Sequence, residues 1–172
     1  SPNNMQVRLS CQSTQRDRIS APINSDGSLN SSLNLAYTPE SKELIDGVNI
    51  SKGSFGNVSM NGKEVYRFAV KRVPEVIDKA LFRANIGVEQ VDWLLLHQAN
   101  QRILDAVAER LSIPSEKVIS NVANYGNTSA ASIPIALDEA VREGKIKPAD
   151  TIAASGFGAG LTWGAAIFEW GR

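Results

Sequence analysis

The sequence predicts an α/β layered fold, and three observations carry the prediction. Short apolar runs of strand length, "VDWLLL", "KVIS" and "DTIAAS", recur through the second half of the chain. Stretches with apolar residues at helical spacing separate them. The last run leads into "GFGAGLTWG" and a further apolar run, "AAIFEW", which reads as two antiparallel strands joined by a glycine-rich turn. Strands alternating with helices make a sheet covered by helices.

Taken in order, residues 1–60 are weakly patterned. The opening "SPNNMQVRLSCQSTQRDRIS" is polar and lacks the apolar core of a secretory signal. Residues 1–25 are expected to be a poorly ordered segment, and 26–172 a single domain. "NSDGSLNSS" is turn chemistry centred on Asp26 and Gly27, and "SKGSFGN" reads as loop. From Met60 the pattern sharpens. Val65, Phe68, Ala69, Val73, Val76, Ile77, Ala80 and Leu81 fall at helical spacing, and Pro74 is expected to bend or divide that helix. Asn85 and Gly87 supply a stop signal. "QRILDAVAERL" is an amphipathic helix with Ile103, Leu104, Val107, Ala108 and Leu111 on one stripe. "SAASIPIALDEAVREG" is a helix that stops at Gly144.

Composition narrows the function. Lys and Arg number 18 and Asp and Glu number 18, so the net charge of zero argues against a general nucleic-acid binder. No apolar run is long enough to span a bilayer. One cysteine, Cys11, rules out an internal disulfide, and one histidine with it makes a structural zinc site untenable.

The single histidine, His97 in "HQAN", sits where a buried strand ends and a helix is about to begin. In open α/β sheets the crevice beyond the strands' carboxyl ends is where ligands bind. The next such junction carries Asn127, in "NYGNTSAAS", and the one after carries "GFGAG". An imidazole, a carboxamide and a run of flexible backbone amides are the inventory for holding a carbonyl oxygen as it gains negative charge. Each also has a plainer reading. Asn127 or Thr128 suits a helix cap, Asn100 and Gln98 could cap the helix after His97, and "GFGAG" could be only a tight turn. "GFGAG" lacks the Lys-Ser/Thr ending of a P-loop and leads into a strand, so it is no nucleotide loop.

"HQANQRI", "NYGNTSAASIPIALDEAVREGKI" and "GFGAGLTWGAA" closely resemble the carboxyl-terminal half of β-ketoacyl-acyl-carrier-protein synthase III, the initiating condensing enzyme of type II fatty acid synthesis. "MNGKEVYRFAV" fits the same half, and the wording is most like plastid and cyanobacterial members. The resemblance implies the carboxyl-terminal half of a thiolase-like layered αβαβα fold, with a mixed sheet flanked by helices. It implies a decarboxylating Claisen condensation of an acyl-CoA starter, usually acetyl-CoA, with malonyl-acyl-carrier protein. It implies no metal and no cofactor beyond these substrates.

By the same resemblance His97 and Asn127 hold the malonyl thioester oxygen while carboxylate is lost. Phe157 lies near the reacting centre, and the backbone amide of Ala159 helps form the oxyanion hole. Gly62 and Asn100 line the channel for the pantetheine arm. Arg102, Arg67 and Arg110 meet the acidic carrier protein. Arg102 and Arg110 stand eight positions apart, about two turns, and could share a helix face. Further implications are a homodimer in the full-length enzyme, and the chloroplast stroma, or the cytoplasm if bacterial. Neither nucleic acid nor membrane is implied as a partner.

The family's nucleophilic cysteine belongs to the other half of a chain roughly twice this long, and the wording around Cys11, "LSCQST", does not match it. The chain therefore reads as half of an enzyme, incapable of condensation alone. The alternative is a truncated, non-catalytic thiolase-like remnant that binds carrier protein or a partner subunit.

Overall fold

The structure, a computed structural model, describes residues 21–171. Cys11 and the arginines of the opening stretch lie outside the described residues. The chain runs β1 (Ile23–Ser25), β2 (Leu33–Ile45), β3 (Val48–Met60), α1 (Gly62–Ala84), β4 (Trp93–Leu96), α2 (Gln101–Arg110), β5 (Val118–Ile119), α3 (Val122–Tyr125), α4 (Ser132–Arg142), β6 (Thr151–Gly158) and β7 (Thr162–Glu169), with 3₁₀ turns between several of them.

One mixed sheet organises the fold, in the order β1-β7-β6-β4-β5. β4 runs parallel to both β5 and β6, whereas β7 is antiparallel to β6 and to β1. Helices cover both faces, so β4 has no polar side and reads as an unbroken apolar run. Its residues divide by alternation. Leu94 and Leu96 join the α1 and α2 side chains Ala69, Val73, Ile77, Leu104 and Val107 in one core. Leu95 points the other way, into a second core with Ile119, Ile152, Ala136 and Ala140. The helices end as their sequences require. Asn85 takes the left-handed conformation after α1, at φ 55°, and its amide bonds the carbonyls of Leu81 and Phe82. Gly144, at φ 70°, turns the chain away from α4.

Three expectations are corrected. "SKGSFGN" is not loop but part of β3, paired along its length with β2. Among its described side chains this hairpin exposes apolar ones, Tyr37, Ile45 and Phe55 included, and buries none, so they impose no alternation that sequence could reveal. Pro74 does not divide α1, which continues through it to Ala84 with Pro74 buried. And the segment 1–25 is not unordered up to its end. Ile23–Ser25 form an edge strand on β7, and Pro22 accepts a bond from the Ala165 amide at 3.1 Å. A strand of three residues is too short to show a period.

Candidate active site

Because β4, β5 and β6 are parallel, their carboxyl ends open on one edge of the sheet. His97 is the first residue beyond β4. Its amide donates to the Ser155 carbonyl at 2.8 Å, which ties it to β6. The half-buried ring packs edge-on against Phe157, with centroids 5.5 Å apart and planes at 78°. Nδ1 lies 2.6 Å from the Ser132 hydroxyl. Burial disfavours the imidazolium and holds His97 below its ordinary value of 6.5. Ser132 opens α4, and the positive end of that helix acts in the same direction.

Asn127 lies between α3 and the short turn Ser129–Ala131. Its Oδ1 accepts from the Ser129 amide at 2.9 Å, a local turn bond and not a helix cap: the cap position of the short turn is Thr128 and that of α4 is Ala131, and neither makes a side-chain cap bond. That bond leaves the Nδ2 group as the donor.

His97, Asn127, Phe157, Ala159, Gly62 and Asn100 all line one cavity of about 680 Å³, together with Tyr66 and Ser132. The volume is in the range of small-molecule sites. Gly62 and Asn100 begin α1 and follow β4, so the cavity runs from the sheet edge towards the α1–α2 seam. Asn100 also caps α2, its Oδ1 accepting from the Arg102 amide at 2.9 Å. Ala159 opens the turn between β6 and β7.

The three arginines do not line the cavity; they stand on α1 and α2 beside it. Arg102 lies over the Tyr66 ring, 5.5 Å from its centroid. Arg67, next in sequence to Tyr66, pairs with Glu64 at 2.9 Å. Arg110 donates to the Val70 carbonyl at 3.3 Å, a structural contact that its expected role did not include.

Two further residues shape the site. Gln98 is not a helix cap. It is completely buried, with Nε2 donating to the Leu96 and Ile119 carbonyls at 2.8 and 3.2 Å and Oε1 accepting from the Asn121 amide at 2.9 Å. It therefore clamps the ends of β4 and β5. Beyond it Asn121 bonds Glu139 at 2.6 Å, and Glu139 also accepts from Tyr125 at 2.5 Å, which braces the segment leading to Asn127. Ser132 is the second. The only sequence signal for either is a small or amide side chain at the boundary of an apolar element. Among the described residues no three His, Cys, Asp or Glu side chains cluster to hold a metal. No helix among them is long and apolar enough to cross a membrane.

Residues 81–170 match the family described as 3-oxoacyl-[acyl-carrier-protein (ACP)] synthase III C terminal. That span includes His97, Asn127, Phe157 and Ala159. The β-ketoacyl-[acyl-carrier-protein] synthase III of Trichormus variabilis is 69% identical over 162 residues, covering 94% of this chain and 49% of that protein. At that coverage the match reaches into residues 1–25. The crystal structure of 3-oxoacyl-[acyl-carrier-protein] synthase III from Aquifex aeolicus superposes with a TM-score of 0.76 at 38% identity, over 92% of this chain and 47% of that one. The Thermus thermophilus synthase III gives 0.77 at 42% identity, over 90% and 46%. The chain thus spans about half the length of the relatives it matches, and its helix-covered mixed sheet is the carboxyl-terminal half of their thiolase-like fold. With the profile match covering more than half of its residues, the chain belongs to the 3-oxoacyl-[acyl-carrier-protein] synthase III family, as its carboxyl-terminal part.

Proposed function

We propose that these residues form the decarboxylating half of a condensing enzyme that initiates fatty acid synthesis. The observation that carries the reading is the convergence of His97, Asn127, Phe157 and Ala159, from three strand ends, on one cavity. In the proposed reaction malonyl-acyl-carrier protein presents its thioester oxygen to His97 and Asn127. The bond from the malonyl methylene to the carboxylate breaks and carbon dioxide leaves. The electron pair becomes an enolate, whose oxygen the two donors stabilise. The enolate carbon then attacks an acyl thioester and expels its thiolate, giving the β-ketoacyl product. A neutral imidazole and an amide suit this task, because both donate to a developing oxyanion. The cysteine that carries the starter acyl group comes from outside these residues, so the chain alone does not condense.

Carrier protein approaches along the α1–α2 seam, where Arg102 stands beside the cavity-lining Tyr66. The test pairs the chain with the amino-terminal half of a synthase III and follows malonyl decarboxylation. His97→Ala and Asn127→Ala should each cost on the order of a hundredfold or more. The double variant should cost little beyond either, since the two act as a unit on one oxygen. Full decarboxylation in either single variant would refute the reading. A non-catalytic remnant would show no decarboxylation in any pairing.

A further inference from the structure

We infer that Ser132 is a positioning residue that sets the tautomer of His97, with the proton on Nε2 and Nδ1 accepting from the serine hydroxyl. The inference deepens the proposed function and rests on it for its catalytic meaning; the tautomer itself does not.

A serine hydroxyl has one hydrogen to give and two acceptor positions. Ser132 is 1% exposed, so its bonds must be made within the protein. Two groups reach its Oγ among the described residues. The Gln98 amide donates at 3.3 Å, and His97 Nδ1 lies at 2.6 Å. The amide has no other role than donor, so it fills an acceptor position. The serine hydrogen then needs an acceptor, and Nδ1 is the one present. Were Nδ1 protonated, it would compete for the remaining acceptor position and leave the buried hydrogen without a partner. The hydroxyl therefore donates to Nδ1, and the bond made by one ring nitrogen decides the state of the other. Nε2 carries the proton.

The placement makes this bond rigid. Ser132 is the first residue of α4, and the backbone amide that donates to its Oγ belongs to Gln98, whose own side chain is locked between the ends of β4 and β5. An imidazolium cannot accept from Ser132, so the bond also resists protonation of the ring, in the same direction as burial. A neutral ring with Nε2–H is the form that donates to a thioester oxygen.

The chain contains one histidine, so its imidazole can be read alone in a chain labelled with ¹⁵N-histidine and purified without a polyhistidine tag. Near neutral pH the expected spectrum has one proton-bearing nitrogen at Nε2 and one bare nitrogen at Nδ1. Ser132→Ala, which suits a helix, should draw the two shifts together as tautomers mix, and should raise the titration midpoint towards 6.5. Ser132→Thr, which keeps the hydroxyl, should restore the parent spectrum. In the paired enzyme Ser132→Ala should lower decarboxylation about tenfold through kcat with KM little changed, as loss of an orienting partner does. A proton on Nδ1 in the parent, or a Ser132→Ala spectrum and midpoint like the parent's, would overturn the inference. An Nε2–H ring in a paired enzyme that does not decarboxylate would refute the proposed reaction and leave the tautomer assignment standing.

Discussion

Arg110 Nη1 donates at 3.3 Å to the carbonyl of Val70, the acceptor that an amide at position 74 would normally satisfy. Proline has no amide there, so α1 keeps a free carbonyl four residues before Pro74. An arginine from α2 takes it up, and the helix continues through the proline without dividing. Arg110→Ala should cost about 1 kcal/mol, the typical net worth of one hydrogen bond. In a Pro74→Ala background, where the helical bond can form, the same substitution should cost less. Denaturant unfolding of the parent and the three variants measures the coupling, and additive costs would show that the two residues are independent.

Gln98 should be among the most sensitive side chains of the site. Gln98→Met keeps its volume but leaves the Leu96 and Ile119 carbonyls and the Asn121 amide without their partner. Each buried group so orphaned costs about 1–3 kcal/mol, so a loss of several kcal/mol is expected in the urea midpoint. A loss under about 1 kcal/mol would mean that water or a repacked neighbour replaces the amide.

The lowered ionisation of His97 sets the pH response. In the unfolded chain the imidazole takes up a proton near 6.5, and in the folded chain only at lower pH. Between those values the unfolded state binds more protons, so stability falls as pH drops through that window and is unaffected above it. Thermal unfolding from pH 8 to 5 should show this component, and His97→Asn should decline less steeply with acid. Decarboxylation in the paired enzyme should likewise persist below pH 6.5 before its acid limb begins.

Arg102 is the charge best placed for an acidic carrier, since it is exposed and stands over a ring that lines the cavity. Arg102→Glu should raise KM for malonyl-acyl-carrier protein while sparing a small malonyl thioester. Salt should weaken carrier use in the parent more than in the variant, because exposed charges are screened. Equal losses on both substrates would point to a damaged cavity instead.

Much of this was legible in the residues. "WLLL" announced a strand buried on both faces, the Ile103–Leu111 stripe announced α2, and "HQAN" and "NYGN" placed an imidazole and an amide at successive strand ends. Those signals are local and short in range. The β2–β3 hairpin was illegible because its glycines and serines carry no period and none of its described side chains is buried. That Pro74 does not divide α1 was hidden for a different reason: the Val70 carbonyl it leaves without an amide is taken up by Arg110, forty positions from Val70.

What the sequence determined by itself is the set of elements and the chemical groups at their ends, since helical and strand periods and capping residues are written within a few positions. Only the tertiary structure decided which of those groups meet. The parallel pairing of β4 with β5 and β6 turns three distant junctions onto one edge, and the packing of α4 brings Ser132 to His97 across 35 positions. A hydrogen bond between residues so far apart depends on how layers stack, and no local pattern encodes that. From its neighbours alone Asn127 suits a cap or a donor, and only the fold places its Oδ1 against the Ser129 amide and the residue in the cavity lining.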